Sequence, residues 1–496
     1  MYIVKKFKLI WTKFNSHKYF IKNNGGGNSK MKERKILALI SAAILVSTSV
    51  FTGCSKTKEV PTVKTESKEV RMLAAVTGGK DEAEMKLFKE KLEKATGLTI
   101  IIDKPASDYD NVMTQKLQSG EKYDLIYCGQ DQLPYLVQQG ALTDITTLVQ
   151  KSKILGDTAN IPQAEWNSIK VDGKIYAGFN KKEVHRVVNV NSVVAEKAGI
   201  DVSKIEPKLD GYYQALKKIK AFNDNGAKAK DFYAFNASIV KMYDFQPWFS
   251  TLGLKGGIVL KDGKKIVPWS TDEAAPVWEW LHKLYAEGLM DKDALTDSTK
   301  ELRNKYQSSK TGIVVDWAAW TGLYNVNAGA NYPNEFKAVP LPGTKSPDGK
   351  YMLTRGSASL WSVPVNAQNV SGAIKVLEYF ATQEGGELLS VGIEGNDYTK
   401  DGSKYTLTDT GKKHAGDHGA PVPISSKFKN PIGWNPGFED AMKYLQYASI
   451  EKSFPETPKY SEVVAKHAAK IIKGDVSVKA GLANMRTELK QAGVID

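Results

Sequence analysis

Cysteine is nearly absent from this chain of 496 residues. Cys54 and Cys128 are the only two, too few for a disulfide framework, so the 42% of apolar residues must supply a core. Net charge is nearly absent from the main body as well. Residues 1–53 carry ten Lys/Arg against one Glu, whereas the remainder carries 59 basic and 54 acidic residues. The formal +14 is therefore largely an N-terminal feature, and neither a basic polymer-binding surface nor a nucleic-acid partner is expected. The glycines match neither a dinucleotide fingerprint nor a phosphate loop. No internal repeat is evident. The one strongly apolar stretch of the N-terminus, Ile36 to Val46, is too short for an ordinary spanning helix.

That stretch has a different reading. Lys32, Arg34 and Lys35 precede it and Phe51-Thr52-Gly53-Cys54 follows it, the layout of a secretory signal. The end resembles a bacterial lipobox, in which the cysteine is acylated, with Phe51 where Leu is usual. Cys54 is then the lipidation site and first mature residue, holding the protein at the extracytoplasmic face of the cell membrane. Residues 1–30, rich in Lys and aromatics and ending in Gly25-Gly26-Gly27-Asn28-Ser29-Lys30, are expected to be untranslated, with Met31 the true start. The divisions are thus 1–30 upstream, 31–53 signal peptide and 54–69 a solvated tether. Cys128, in a strand-like segment, reads as a small buried apolar residue.

From Val70 onward strands and helices alternate. The spacing predicts strands at 70–76, 99–102 and 124–128, with helices at 81–95 and 111–118 between them. Such alternation argues for an α/β domain with a largely parallel sheet, and ligands of such sheets sit beyond the carboxyl ends of the strands. Further helices are predicted at 212–222, 274–287, 370–382, 460–472 and 478–492, and strands at 312–316 and 359–365.

Several segments resemble family 1 extracellular solute-binding proteins of ABC importers, the class that includes maltose-binding protein. They are Gly120-Glu121-Lys122-Tyr123-Asp124-Leu125, Gly140-Ala141-Leu142-Thr143-Asp144-Ile145, Asp172-Gly173-Lys174-Ile175-Tyr176-Ala177, Leu284-Tyr285-Ala286-Glu287-Gly288-Leu289-Met290-Asp291, Gly392-Ile393-Glu394-Gly395-Asn396-Asp397-Tyr398 and Ile471-Ile472-Lys473-Gly474. Their order along the chain carries the likeness. It implies an α/β protein of the two-lobed periplasmic-binding-protein type II fold with an interdomain cleft. By analogy one lobe is 66–187 plus 366–420 and the other 188–365 plus 421–496, with crossings near 187–191, 361–366 and 420–426. The resemblance implies a monomeric, lipid-anchored receptor that captures an oligosaccharide, performs no chemistry and hands its cargo to ABC permease transmembrane subunits.

A sugar offers an apolar C–H face and a rim of hydroxyls, so aromatic walls with a few placed polar groups are expected to hold it. Trp317, just after Asp316, is the first choice, because maltose-binding protein has a stacking Trp after a similar strand. Trp320 lies one helical turn on. Trp361, Trp434 and Trp248 are further candidates, whereas Trp278 and Trp280 sit on an amphipathic helix and read as packing. Gln130 and Asp131 follow a strand end, and with Asp316 and Arg355 they are the candidates for hydroxyl recognition. Glu183 and Arg186 flank the first crossing and read mainly as solvated hinge surface.

Many relatives carry a calcium loop, and the corresponding residues here run from Asn223 to Phe232. Asn223, Asn225 and Asp231 are the candidate donors, but Ala227 and Phe232 stand where oxygen ligands belong, and calcium needs six to eight oxygens. No cofactor is therefore expected. His414 and His418 have metal-pair spacing, but no third ligand is evident in the sequence and their glycine-rich context suggests an exposed loop. Two other readings stay open: a secreted glycoside hydrolase, which would need two carboxylates about 5 to 9.5 Å apart, and a peptide-binding receptor on the same fold.

Overall fold

The computed structural model describes residues 67–227, 230–239, 242–331 and 334–496. The start at Met31, the signal peptide, Cys54 and most of the tether lie outside the described residues.

Strands are numbered along the chain. β1 (Glu69–Leu73), β2 (Thr99–Asp103), β3 (Leu125–Gly129) and β4 (Ala177–Phe179) come first. β5 (Arg186–Asn191), β6 (Tyr233–Asn236) and the hairpin β7 (Val259–Lys261) with β8 (Lys264–Ile266) follow. Next are β9 (Thr311–Trp317), β10 (Ala338–Leu341), β11 (Leu353–Arg355) and β12 (Ser359–Ser362). The hairpin β13 (Tyr398–Asp401) with β14 (Lys404–Leu407), and then β15 (Ala448–Ile450), complete the set.

Two sheets result. The first has the order β2-β1-β3-β12-β4, parallel from β2 to β3 and antiparallel around β12. The crossover from β1 to β2 is the helix Glu82–Thr96. Asp81 caps its start by accepting the Glu84 amide, and Gly97 ends it in the left-handed region. Phe88 and Leu92 of that helix pack on Val70, Leu73 and Ile100, and this core continues through Leu360 and Trp361 of β12. Cys128 belongs to it. Its Sγ lies 2.9 Å from Ser362 Oγ, and burial pushes the thiol up to about 12.

The second sheet has the order β10-β5-β9-β6, with β5 antiparallel to both neighbours. β9 is buried along its whole length, as expected of a central strand flanked on both faces. The core of this half contains Trp248, wholly enclosed, with ring centroids 4.9 Å from Tyr212, 5.5 Å from Phe235 and 5.2 Å from Trp280. Trp278 is likewise buried, and its indole donates to the Trp269 carbonyl at 2.9 Å. The C-terminal helices Thr457–Lys473 and Val478–Gln491 complete this core.

The chain passes between the two cores at Asn180–His185, between β4 and β5, and again at 356–358, between β11 and β12. These places differ from the expected crossings. Val187–Asn191 lies within β5, and Trp361 lies within β12 of the first sheet, so 359–365 belongs to the first lobe rather than the second. Val365 confirms the placement by donating its amide to the Ala141 carbonyl. The loop after β4 also binds a third passage, since the Lys182 amide donates to the Val422 carbonyl.

One side chain fastens the first two passages. The Arg355 guanidinium donates to the Glu183 carbonyl at 2.7 and 3.0 Å and forks onto both Glu165 oxygens at 3.1 Å. Both Arg355 and Glu165 are largely buried, and a paired buried fork is costly to break from one side.

Two stability outcomes follow from this packing. Trp248→Ala should cost about 3–5 kcal/mol in denaturant unfolding, as expected for an emptied aromatic core site. Arg355→Ala should cost about 3 kcal/mol because Glu165 is left unpaired. Arg355→Lys should recover less than half of that, because an ammonium cannot reproduce the fork.

Candidate functional site

Between the two sheets lies a cleft of ≈ 320 Å³. Its second-lobe wall is aromatic and cationic. β9 ends in Asp316 and Trp317, and the helix Ala318–Asn331 begins at once, placing Trp320 on the same wall. Tyr243 and Arg186 extend that wall. The facing side carries Val76 from the loop after β1, which is 48% exposed, together with Ser359, Asp417 and Gly419. Lys181, Glu183 and Ser357, from the two passages, form the base.

Each cation on the wall meets a carboxylate. Arg303 grips Asp316 through Nε and one terminal nitrogen at 2.7 and 2.9 Å, and Tyr324 donates to the same carboxylate at 2.6 Å. Burial alone would raise Asp316, but the Arg303 charge and hydrogen bonds outweigh it and hold the carboxyl below its usual range. Arg186 Nε approaches Asp244 at 3.5 Å, and burial pushes Asp244 up to about 7 against the pull of that guanidinium. Lys181 Nζ lies 3.9 Å from Glu183, whose carboxyl burial also raises. The same Lys181 sits 4.0 Å above the Trp317 ring, and Arg303 sits 3.9 Å above Trp320.

Two buried donors on this wall make no hydrogen bond within the protein: Trp317 Nε1 and Arg186 Nε. A buried donor without an acceptor is costly unless something else supplies one. Both residues line the cleft, and Arg186 Nε keeps the Asp244 carboxylate at 3.5 Å.

The sequence-predicted candidates separate clearly. Trp317 and Trp320 line the cleft, and Asp316 lies directly behind them as the anchor of Arg303. Trp361 does not reach it. It is buried in β12 and its indole donates to Asn180 at 3.0 Å, which also takes the Thr77 hydroxyl and donates to the Gly419 carbonyl. Trp248 is core, enclosed by three other rings. Trp434 is partly exposed but packs against Phe438, tilted by 37° with centroids 4.8 Å apart, beside a separate small pocket. Arg355 is committed to the passages described above. Gln130 donates to the Ser168 carbonyl and accepts the Ala358 amide, fastening the second passage to the first lobe. Asp131 accepts the Ser357 hydroxyl at 2.7 Å and thereby positions a residue of the cleft base. These polar candidates support the site rather than form its surface.

Lys181, Arg186, Tyr243, Arg303, Ser357 and Asp417 form that surface instead. Arg186 and Glu183 had signalled only a hinge, and they are enclosed rather than solvated. The calcium candidates do not form a site that fits the ion. Asn223–Ala227 continues the preceding helix as a π turn, Asp224 pairs with Lys220 at 2.8 Å, and Ala227 and Phe232 bring no side-chain oxygen. Lys228 and Ala229 of that loop lie outside the described residues. The loop of His414 and His418 is not exposed as expected, for His418 is only 2% exposed.

Comparison with known proteins agrees with this geometry. The family model for bacterial extracellular solute-binding protein matches residues 75–387. Lipoprotein LipO of Bacillus subtilis (strain 168) is 23% identical over 409 residues, 78% of each chain. The fructooligosaccharide ABC transporter substrate-binding protein FusA of Streptococcus pneumoniae is 24% identical over 255 residues, 47% of this chain and 46% of that one. Among solved structures, the ABC substrate-binding protein Lmo0181 of Listeria monocytogenes, in complex with cycloalternan, superposes with a TM-score of 0.65 at 16% identity, covering 86% of this chain and 99% of that one. An ABC transporter solute-binding protein of Thermotoga lettingae bound to α-D-tagatose gives 0.62 at 17%, covering 85% and 100%. At such identities the structures speak for the fold alone, which is two-lobed. Over 313 residues of matched family model, with that fold and an interlobe cleft, the chain belongs to the bacterial extracellular solute-binding proteins.

Proposed function

We propose that this solute-binding protein captures a short, uncharged saccharide, or the end of a longer one, in the cleft between its lobes and delivers it to an ABC permease. The observation that carries the reading is the aromatic wall of Trp317, Trp320 and Tyr243, on which the buried Trp317 Nε1 makes no hydrogen bond within the protein. Rings suit the C–H faces of a sugar, and an unfilled donor suits its hydroxyls. The proteins named for fructooligosaccharide, cycloalternan and tagatose support the same class of cargo. The cleft volume lies at the small end of ligand pockets.

Charge narrows the class. Lys181, Arg186 and Arg303 each face Glu183, Asp244 or Asp316. A carboxylate-bearing sugar would have to break one of these pairs, whereas hydroxyls can add to them. Saccharide bound to both walls favours the closed form, so ligand shifts an open–closed equilibrium about the passages. The protein acts as a monomer, tethered through acylated Cys54 at the outer face of the membrane. Among the described residues no helix is long and apolar enough to cross a membrane.

Titration calorimetry against neutral oligosaccharides, uronides and peptides tests the assignment. Neutral saccharides should bind, and Trp317→Ala should weaken them about tenfold or more, at least ~1.4 kcal/mol. Preferential binding of uronides or peptides would overturn it. Incubation with the same saccharides should release no new reducing ends, since the reading gives the protein no hydrolytic role.

A further inference from the structure

Away from the cleft wall, four titratable side chains from three distant segments meet inside the first lobe. Glu84 stands in the first turn of the helix Glu82–Thr96. Its Oε2 accepts the Lys80 amide at 2.7 Å, and its Oε1 faces His414 Nε2 at 3.2 Å. The other nitrogen of that ring, Nδ1, lies 2.6 Å from Asp397 Oδ1. His418 Nε2 lies 2.9 Å from the same oxygen. The two imidazoles are perpendicular, 4.7 Å between centroids. Asp397 is completely buried, and its Oδ2 accepts the Ile393 amide at 2.8 Å. One ligand atom from each of Glu84, His414 and His418 lies within 4.8 Å of the other two.

The backbone is shaped to allow this convergence. Gly392 has φ +106, and a Cβ there would come within 2.5 Å of both Asp397 Oδ2 and His418 Nε2. Only glycine accepts both the conformation and the contact.

Counting protons and lone pairs exposes the unusual feature. Asp397 Oδ1 is an acceptor, so it takes N–H from His414 Nδ1 and from His418 Nε2. When that ring is neutral, His414 Nε2 presents a lone pair to Glu84 Oε1, itself an acceptor, at 3.2 Å. Such a pair is joined either by a proton on the ring or by a metal ion, and the ligand set favours the ion. Zinc binds imidazole nitrogen at about 2.0–2.1 Å and carboxylate oxygen at about 2.0–2.2 Å, so ligands 3.2 Å apart subtend roughly 100° at the ion, near the tetrahedral angle. A carboxylate holding the far nitrogen of a ligating histidine is the usual outer partner of such a metal, and Asp397 stands in that place. Two imidazoles also disfavour calcium and magnesium, which take oxygen.

We propose that Glu84, His414 through Nε2 and His418 through Nδ1, the nitrogen not spent on Asp397, hold a zinc-class divalent ion, oriented by Asp397, with the remaining position open to water. The site is independent of the saccharide reading, but it is mechanically tied to the cleft. Glu84 follows the loop that carries Val76, and His418 stands between Asp417 and Gly419, all three of which line the cleft. The ion would fasten two strips of one cleft rim to each other.

The test is metal retention by the full protein, freed of any affinity tag and stripped with chelator. After incubation with zinc and desalting, elemental analysis should find about one zinc per chain, and calcium or magnesium should not substitute. Glu84→Gln, which keeps shape and removes the anionic ligand, should retain less than about a tenth of that, with an unchanged far-ultraviolet dichroism spectrum. Zinc should raise the melting temperature of the wild type and not of Glu84→Gln. Should the variant not fold, cobalt in the wild-type protein gives the second readout: the visible bands of a tetrahedral site. Failure to retain zinc, equal retention by wild type and Glu84→Gln, or a six-coordinate cobalt spectrum would overturn the proposal, leaving His414 as a protonated bridge between two carboxylates.

Discussion

Everything in this molecule hangs on how a chain can run back and forth between two separate cores without exposing unpaired backbone. Strands ending in mid-air between lobes would leave carbonyls that neither sheet can satisfy. Arg355 resolves this by spending its planar fork on the Glu183 carbonyl and on Glu165, so that the last residue of β11, at the start of the second passage, completes the backbone of the first. Gln130 does the same from the other side, accepting the Ala358 amide while donating to the Ser168 carbonyl. Fastened this way, the passages can bend as a unit, and the lobes they join keep their own cores intact.

That arrangement explains which parts of the structure were legible in the sequence. Local periodicity carries the sheets and helices: the expected helix at 81–95 forms at 82–96, and the expected strand at 312–316 forms at 311–317. These elements bury one stripe or one run of their own residues, and that pattern is written consecutively. The passages were misplaced because their register depends on partners far away. Trp361 reads as an extended apolar residue in either lobe, and only pairing with Tyr127 and Gly178 assigns it to the first.

The same distinction separates the tryptophans. Trp317 was singled out by its place after Asp316 at a strand end, where maltose-binding protein has a stacking Trp, and in the fold it ends β9 and lines the cleft. Trp248 sits in a polar, proline-containing stretch that resembles a binding loop, yet Tyr212, Phe235 and Trp280 close around it from three other segments. Arg355 and Gln130 look like ligand donors because a buried polar group needs a partner, and the sequence cannot say whether that partner is backbone or guest. His414 and His418 carried the opposite difficulty. Their glycine-rich surroundings suggested solvent, whereas those glycines let the backbone close in on Asp397.

Cys128 has a practical consequence. With its sulfur enclosed beside Ser362 and its thiolate strongly disfavoured, it is a poor nucleophile toward alkylating dyes. The folded body thus offers a silent background for chemistry at a thiol placed by choice. A fluorophore on such a thiol introduced as Val76→Cys, at a half-exposed position of the cleft rim, would report opening and closing of the jaws in real time, one molecule at a time, with Cys128 left in place.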